Sequence, residues 1–309
     1  MKKLVIVSMG LLLSTSILFT SCKKEKNNDS TENATESQVH SDDQSMEANA
    51  DDEISTDAST VVEGVASMTG RGPFFPVPCN ATITYDTLNA AKTITITYNG
   101  LNCIGTRFRT GVVTISLPAN IKWKDAGAKL TITATNLKIT RVVDQKSITI
   151  NGSKVITNVS GGLLYQLASS GPITHTITSA GITITFDNNT QRSWQIAKQR
   201  VFSYNNGVVI TTTGTYSDGG VTGISEWGTN RLGNPFATQI VTPLVIRQDC
   251  DWRLTSGQIK HTRMVRTVDV TFGLNAQGVA TGCPGLGVYY MKITWVNFAG
   301  NTVTVILPY

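Results

Sequence analysis

Histidine, long apolar runs and clustered carboxylates are all scarce in this chain, and each shortage excludes something. There are three histidines in 309 residues. His40 lies in an acidic polar stretch, His175 alternates with Ile173 and Ile177 as a core residue would, and His261 sits in a basic strand pattern. No two are spaced as a local metal motif, and the cysteines form no close pair of the kind zinc sites use. No metal and no cofactor are expected. A glycosidase needs two carboxylates facing across a cleft, yet residues 64 to 309 hold nine acids, several at turn positions where Asp serves the backbone. Asp249 and Asp251, which flank Cys250 and would share one face of a strand, are the least ordinary pair. The glycine-rich piece Gly282-Cys283-Pro284-Gly285-Leu286-Gly287 is followed by no helix pattern and reads as a turn, not a phosphate cradle. Lys and Arg form no dense run, so no nucleic acid is expected as a partner.

The N-terminal apolar region, Leu4 to Val7 and Leu11 to Phe19, is shorter than the roughly 20 residues that span a bilayer. It follows Met1-Lys2-Lys3 and ends at Thr20-Ser21-Cys22, which is the layout of a signal peptide over 1–21. A small residue before Cys directly after the apolar run resembles the lipobox of bacterial lipoproteins, in which that thiol is acylated. Phe19 departs from the usual Leu or Val, as in the looser lipobox of Bacteroidota. The resemblance implies lipid attachment at Cys22, anchorage in the outer membrane, and exposure at the cell surface or the periplasmic face.

Residues 22–63 read as a disordered acidic linker. Asn, Ser, Thr, Asp, Glu and Ala dominate, and such a segment lacks the apolar surface needed to offset its ordering entropy. It carries twelve acids against three bases, a net −9. Residues 64–309 hold 21 bases against nine acids, a net +12 that the whole-chain value of +5 conceals. A charge division of this size suggests contact with a polyanion or an anionic surface.

After Gly64 the pattern changes to period two. Ala81, Ile83 and Tyr85 alternate with Thr82 and Thr84, Ile94, Ile96 and Tyr98 with Thr93, Thr95 and Thr97, and the same texture recurs to Val303, Val305 and Leu307. Turn signals such as Asn99-Gly100, Asn151-Gly152 and Asn205-Asn206-Gly207 punctuate the runs and imply antiparallel hairpins. The expected fold class is all-β, a large antiparallel β-sandwich or meander in one domain over 64–309, with little or no helix beyond the signal peptide. The even number of cysteines outside the anchor suits an oxidising compartment. Pairing Cys79 with Cys103 and Cys250 with Cys283 joins neighbouring strands, and each closure is worth roughly 3 kcal/mol.

Cys79 before the strand Ala81 to Asp86, the turn from Cys103 to Gly111 with Arg107 and Arg109, Arg192-Ser193-Trp194, Asn234-Pro235-Phe236, Asp249-Cys250-Asp251-Trp252 and the closing strand together resemble a group of Bacteroidota lipoproteins with a Thr-rich β domain. No activity is assigned to that group, so the resemblance implies location and fold class and carries over no catalytic residue. The expected function is a membrane-anchored, non-enzymatic envelope module that binds glycan or another polyanion or serves a structural role. Arg192, Trp194, Asp249, Asp251 and Trp252 are its candidate ligand contacts. An enzyme acting on polysaccharide, or an outer-membrane β-barrel ending in Tyr309, are the alternatives.

Overall fold

A computed structural model describes residues 28–68, 78–86, 91–263, 266–283, 287–297 and 299–309. The signal peptide and Cys22 lie outside the described residues. Among the described residues fifteen strands form one antiparallel sheet. They are β1 (Ala81–Asp86), β2 (Ala91–Leu101), β3 (Arg107–Pro118), β4 (Ala128–Arg141), β5 (Ser147–Asn158), β6 (Ile173–Phe186), β7 (Gln191–Tyr204) and β8 (Val208–Gly214). There follow β9 (Tyr216–Asp218), β10 (Val221–Thr229), β11 (Pro235–Arg247), β12 (Arg253–Arg263), β13 (Arg266–Leu274), β14 (Tyr290–Val296) and β15 (Thr302–Pro308). The fold is an all-β meander, as the alternation predicts.

The strands pair in chain order from β1 to β7 and again from β10 to β15. Between β7 and β11 the sheet is filled in two pieces. β10 lies against Trp194–Ile196 and Pro235–Gln239, while β8 lies against Lys198–Tyr204 and Leu244–Arg247. Among the described residues β1 and β15 each have a neighbour on one side only, so the sheet they form is open. Along β2 to β7 many inward residues are aliphatic, for example Ile96, Val113, Leu130, Ile148, Ile177 and Ile184, with Arg109, Lys154, Arg192 and Lys198 buried among them, and the outward ones are mainly Thr.

Two expected turns fall inside strands. Asn99-Gly100 lies in β2 and Asn151-Gly152 in β5, and the Gly152 position marks a bulge where the β5–β6 register shifts. Gly152 has φ +135°, and a Cβ there would sit 2.9 Å from the Gly181 carbonyl oxygen, so two backbones meet where only glycine fits. Comparable shifts occur between β3 and β4, β4 and β5, and β6 and β7. Bulges bend strands and increase their twist, and this series curls the first half of the sheet around whatever lies on its inner side.

What lies there is a helix, α1 (Asn28–Met68), 41 residues long. This overturns the expectation of a disordered linker over 22–63 and of little or no helix beyond the signal peptide; among the described residues the β domain itself holds only short helical turns after α1 ends. Its buried positions, Asp43, Met46, Glu47, Ala50, Asp51, Ile54, Ser55, Ala58, Val61 and Val62, recur every three or four residues, while Ser45, Asn49 and Thr56 form the exposed stripe. Met46, Ala50, Ile54, Ala58, Val61 and Val62 belong to the same core as Ile96, Ile132 and Trp194. Asn, Ser, Thr and Asp are poor helix formers, so the helix is held by tertiary contacts, which is where most helical stability in proteins arises.

Candidate functional site: a cationic interior filled by an acidic helix

α1 carries eleven acids and no lysine or arginine. Seven of these acids meet eight cations projecting from the inner side of the sheet and its loops. Asp42 takes Arg141 and Lys146, each at 2.8 Å. Asp43 accepts from Arg231, with Nε to Oδ2 at 2.7 Å. Glu47 faces Arg192 at 2.8 Å, and Asp51 and Asp52 pair with Lys154 and Arg200. Glu53 is 3.0 Å from Arg109 and 3.3 Å from Arg107, and Asp57 accepts from Arg109 at 2.9 Å and from the Tyr98 hydroxyl at 2.8 Å. At the far end Glu63 accepts the backbone N–H groups of Leu164 and Tyr165.

Three arginines in this set are each held between an acid of α1 and an aromatic ring of the sheet. The guanidinium carbons of Arg109, Arg192 and Arg231 lie 4.5, 4.2 and 3.8 Å from the ring centres of Tyr98, Phe236 and Phe186. The planar guanidinium stacks on a ring while its edge binds carboxylate, which an ammonium does not do as well. Glu226 of β10 turns inward as well, pairing with Lys198 and contacting Gln44 of α1.

Burial is deep enough to shift proton affinities. Both side chains of the Glu47–Arg192 pair are 0% exposed. Burial raises the Glu47 carboxyl well above the usual range despite Arg192, and burial likewise raises Asp43 and Asp57 against their arginines. Asp51 goes the other way: burial pushes it up, but Lys154, Lys198 and Arg200 outweigh it and hold the carboxyl low. Burial lifts Glu63 to about 6, because it has backbone donors but no cation partner among its interactions.

These positions correct the expectations for two of the proposed ligand contacts. Arg192 and Trp194 share a strand face, as alternation requires, but that face is the interior, where each is 1% exposed. They meet α1 and the core around it. Asp249 and Asp251, by contrast, do not share a strand face. Gln248–Cys250 is a short 3₁₀ turn, Asp251 is left-handed, and Asp249 is held by the neighbouring Arg247 at 2.6 Å. Asp251 points into solvent with Arg253 3.6 Å away, and Trp252 is 52% exposed at the same turn. Cys79 joins Cys103 and Cys250 joins Cys283, with Cα separations of 5.1 and 5.2 Å. Asp249 lies beside the second pair, but sulfurs bonded to each other are not the thiolates that bind metals. His175 is a core residue in contact with the Trp123 and Phe202 rings, with its pKa lowered by burial to about 4.

On the outer side of β10, opposite Glu226, Trp227 stacks on Tyr216 with ring centres 4.0 Å apart and planes 13° from parallel. Tyr216 is exposed. Among the described residues no helix is long and apolar enough to cross a membrane. No protein-family model, curated protein or solved structure matches the chain.

Proposed function

We propose that the protein is a lipid-anchored module of the bacterial outer membrane that works by binding or scaffolding and not by catalysis, with neutral envelope glycan as its partner class. The observation that supports this reading is the filled interior. The buried carboxylates of α1 with shifted proton affinities, Asp43, Glu47, Asp51 and Asp57, point at cations of the sheet and its loops across the α1 interface. A glycosidase would need its two carboxylates beside an accessible cleft.

The same pairing narrows the partner. Residues 64–309 are net +12, but α1 adds eleven negative charges, and residues 28–309 together are net +1. The excess positive charge of the β domain is matched within the chain, so long-range attraction of polyanions is weak. The outer side offers Thr hydroxyls and the Tyr216–Trp227 stack, which suit sugars better than phosphates. The barrel alternative fits poorly, because among the described residues the sheet is open at β1 and β15, and such edges leave backbone groups that a bilayer cannot satisfy.

Acylation at Cys22 would place the anchor only a few residues before Asn28, so the module would sit close to the membrane instead of at the end of a long tether. The test is a glycan screen of the purified full chain at two salt concentrations, with Trp227→Ala beside the wild type. Binding that persists at high salt and is lost in the variant supports the reading. Release of shortened sugar products overturns it.

A further inference from the structure

Among the described residues the sheet ends at β15, and the edge it presents is unusually permissive. Hydrogen bonds from Tyr309 N to Tyr289 O and from Asn297 N to Asn301 O fix which residues of β15 face β14. By antiparallel alternation Val303, Val305 and Leu307 bond to β14, and the backbone groups of Thr302, Thr304 and Ile306 point away from the sheet. The strand contains no charged residue. Natural edges are usually protected by Lys, by bulges or by an early proline; β15 has only Pro308, at its last position, and no register shift against β14.

The inner face leading to this edge is apolar and half-exposed. One row across the strands runs Ile240, Ile259, Val270, Ile293, Val305, and the next runs through Val268 and Trp295 to Val303. A strand added at the edge would extend both rows if it carried apolar residues at alternate positions.

We infer that this edge pairs with β15 of a second copy, antiparallel about a two-fold axis at Thr304. In that register Thr304 opposes Thr304 and Thr302 opposes Ile306, so every outward N–H of one strand meets an outward carbonyl of the other. Val303 then opposes Val305 on the apolar face, and Pro308, which has no N–H, falls beyond the paired region. A two-fold contact needs a surface complementary to itself, and β15 meets that requirement in sequence as well as in backbone polarity. The near-neutral charge of residues 28–309 removes the repulsion that would oppose two copies. β1 at the other edge ends in Asp86, a carboxylate of the kind that discourages such pairing. A seven-residue strand pair buries less than the ~1,200 Å² of a standard interface, so the dimer is a weak one.

The test uses the full chain with Cys22→Ala, by light scattering over a concentration series and by disulfide trapping. A mass that doubles at high concentration is expected. Thr304→Cys should form a covalent dimer under mild oxidation, because facing Cα atoms in a hydrogen-bonded antiparallel pair lie ~5.5 Å apart. Ile306→Cys should not, its own copy being four residues away along the strand, roughly 14 Å. Thr304→Lys, which sets two like charges at the axis from an exposed position, should halve the mass at the same concentration. Thr304→Pro should do the same by removing an N–H that β14 does not use. A monomeric wild type at all concentrations overturns the inference and leaves the edge for a strand of another protein. A dimer that survives Thr304→Lys and crosslinks equally at 304 and 306 also overturns it.

Discussion

Replacing Arg192 with Met should be among the most damaging single changes in the molecule, although it keeps the volume and adds no charge. Arg192 and Glu47 are both fully buried and 2.8 Å apart, and the guanidinium lies over Phe236. Met leaves the Glu47 carboxyl in an apolar site where burial already raises its proton affinity. Stranding one member of a buried ion pair costs about 3–5 kcal/mol. For a chain of this size that corresponds to a fall in Tm of roughly 6–15 °C. Glu47→Leu alone strands Arg192 in the same way. Removing both together restores a neutral apolar contact between α1 and β7, and the double variant should come within about 2 kcal/mol of the wild type, or exceed it. The assay is thermal and urea unfolding of the four proteins of the cycle, followed by circular dichroism. A loss below about 1 kcal/mol for Arg192→Met, or a double variant whose loss is the sum of the singles, would refute the claim that this pair is buried at the helix–sheet interface.

Other consequences follow from the same interior. Ile54→Ala, deep in the contact between α1 and the sheet, should lower stability by about 2–5 kcal/mol, whereas the same change in a solvated linker would be silent in urea unfolding. Gly111→Ala should impair folding, since Gly111 has φ +113° and a Cβ there would lie 2.3 Å from the Asn136 carbonyl oxygen; soluble yield and unfolding midpoint report it. Glu63 has its pKa raised from 4.5 to about 6 in the folded chain, so the native state binds its proton more tightly than the unfolded one. Its contribution is therefore fully present below pH 4.5 and lost as pH rises through about 6, a difference of ~2 kcal/mol that Glu63→Gln should remove from the stability profile. Cys22→Ala should move the protein from the membrane fraction to the soluble fraction, and retention in the membrane would contradict acylation at that thiol.

The strands are legible in the sequence because their physics is local. Ile94, Ile96 and Tyr98 alternate with threonines, and one face of β2 is buried while the other is wet. The disulfide partners follow from the same hairpin order. The helix is harder to read, because Asp43, Glu47 and Asp51 occupy buried positions that an amphipathic pattern would fill with leucine. The signal that does exist is the spacing of Met46, Ala50, Ile54, Ala58 and Val61, together with an acidic segment and a basic domain in one chain. That charge division is plain from composition; composition alone leaves open whether the partner of the basic face is external or is the chain's own N-terminal segment. Arg192 and Trp194 illustrate the same limit. Their shared face is legible, but whether that face is the inside or the outside depends on which side of the sheet α1 covers.

Hydrogen exchange of the full chain, read by mass spectrometry, tests most directly whether α1 is part of the core. Peptides covering residues 42–63 should exchange as slowly as those from β4 to β6, because their amides open only when the helix leaves the sheet. Exchange of 42–63 at the rate of an unstructured peptide, with β4 to β6 still protected, would contradict the account and return the segment to a solvated linker.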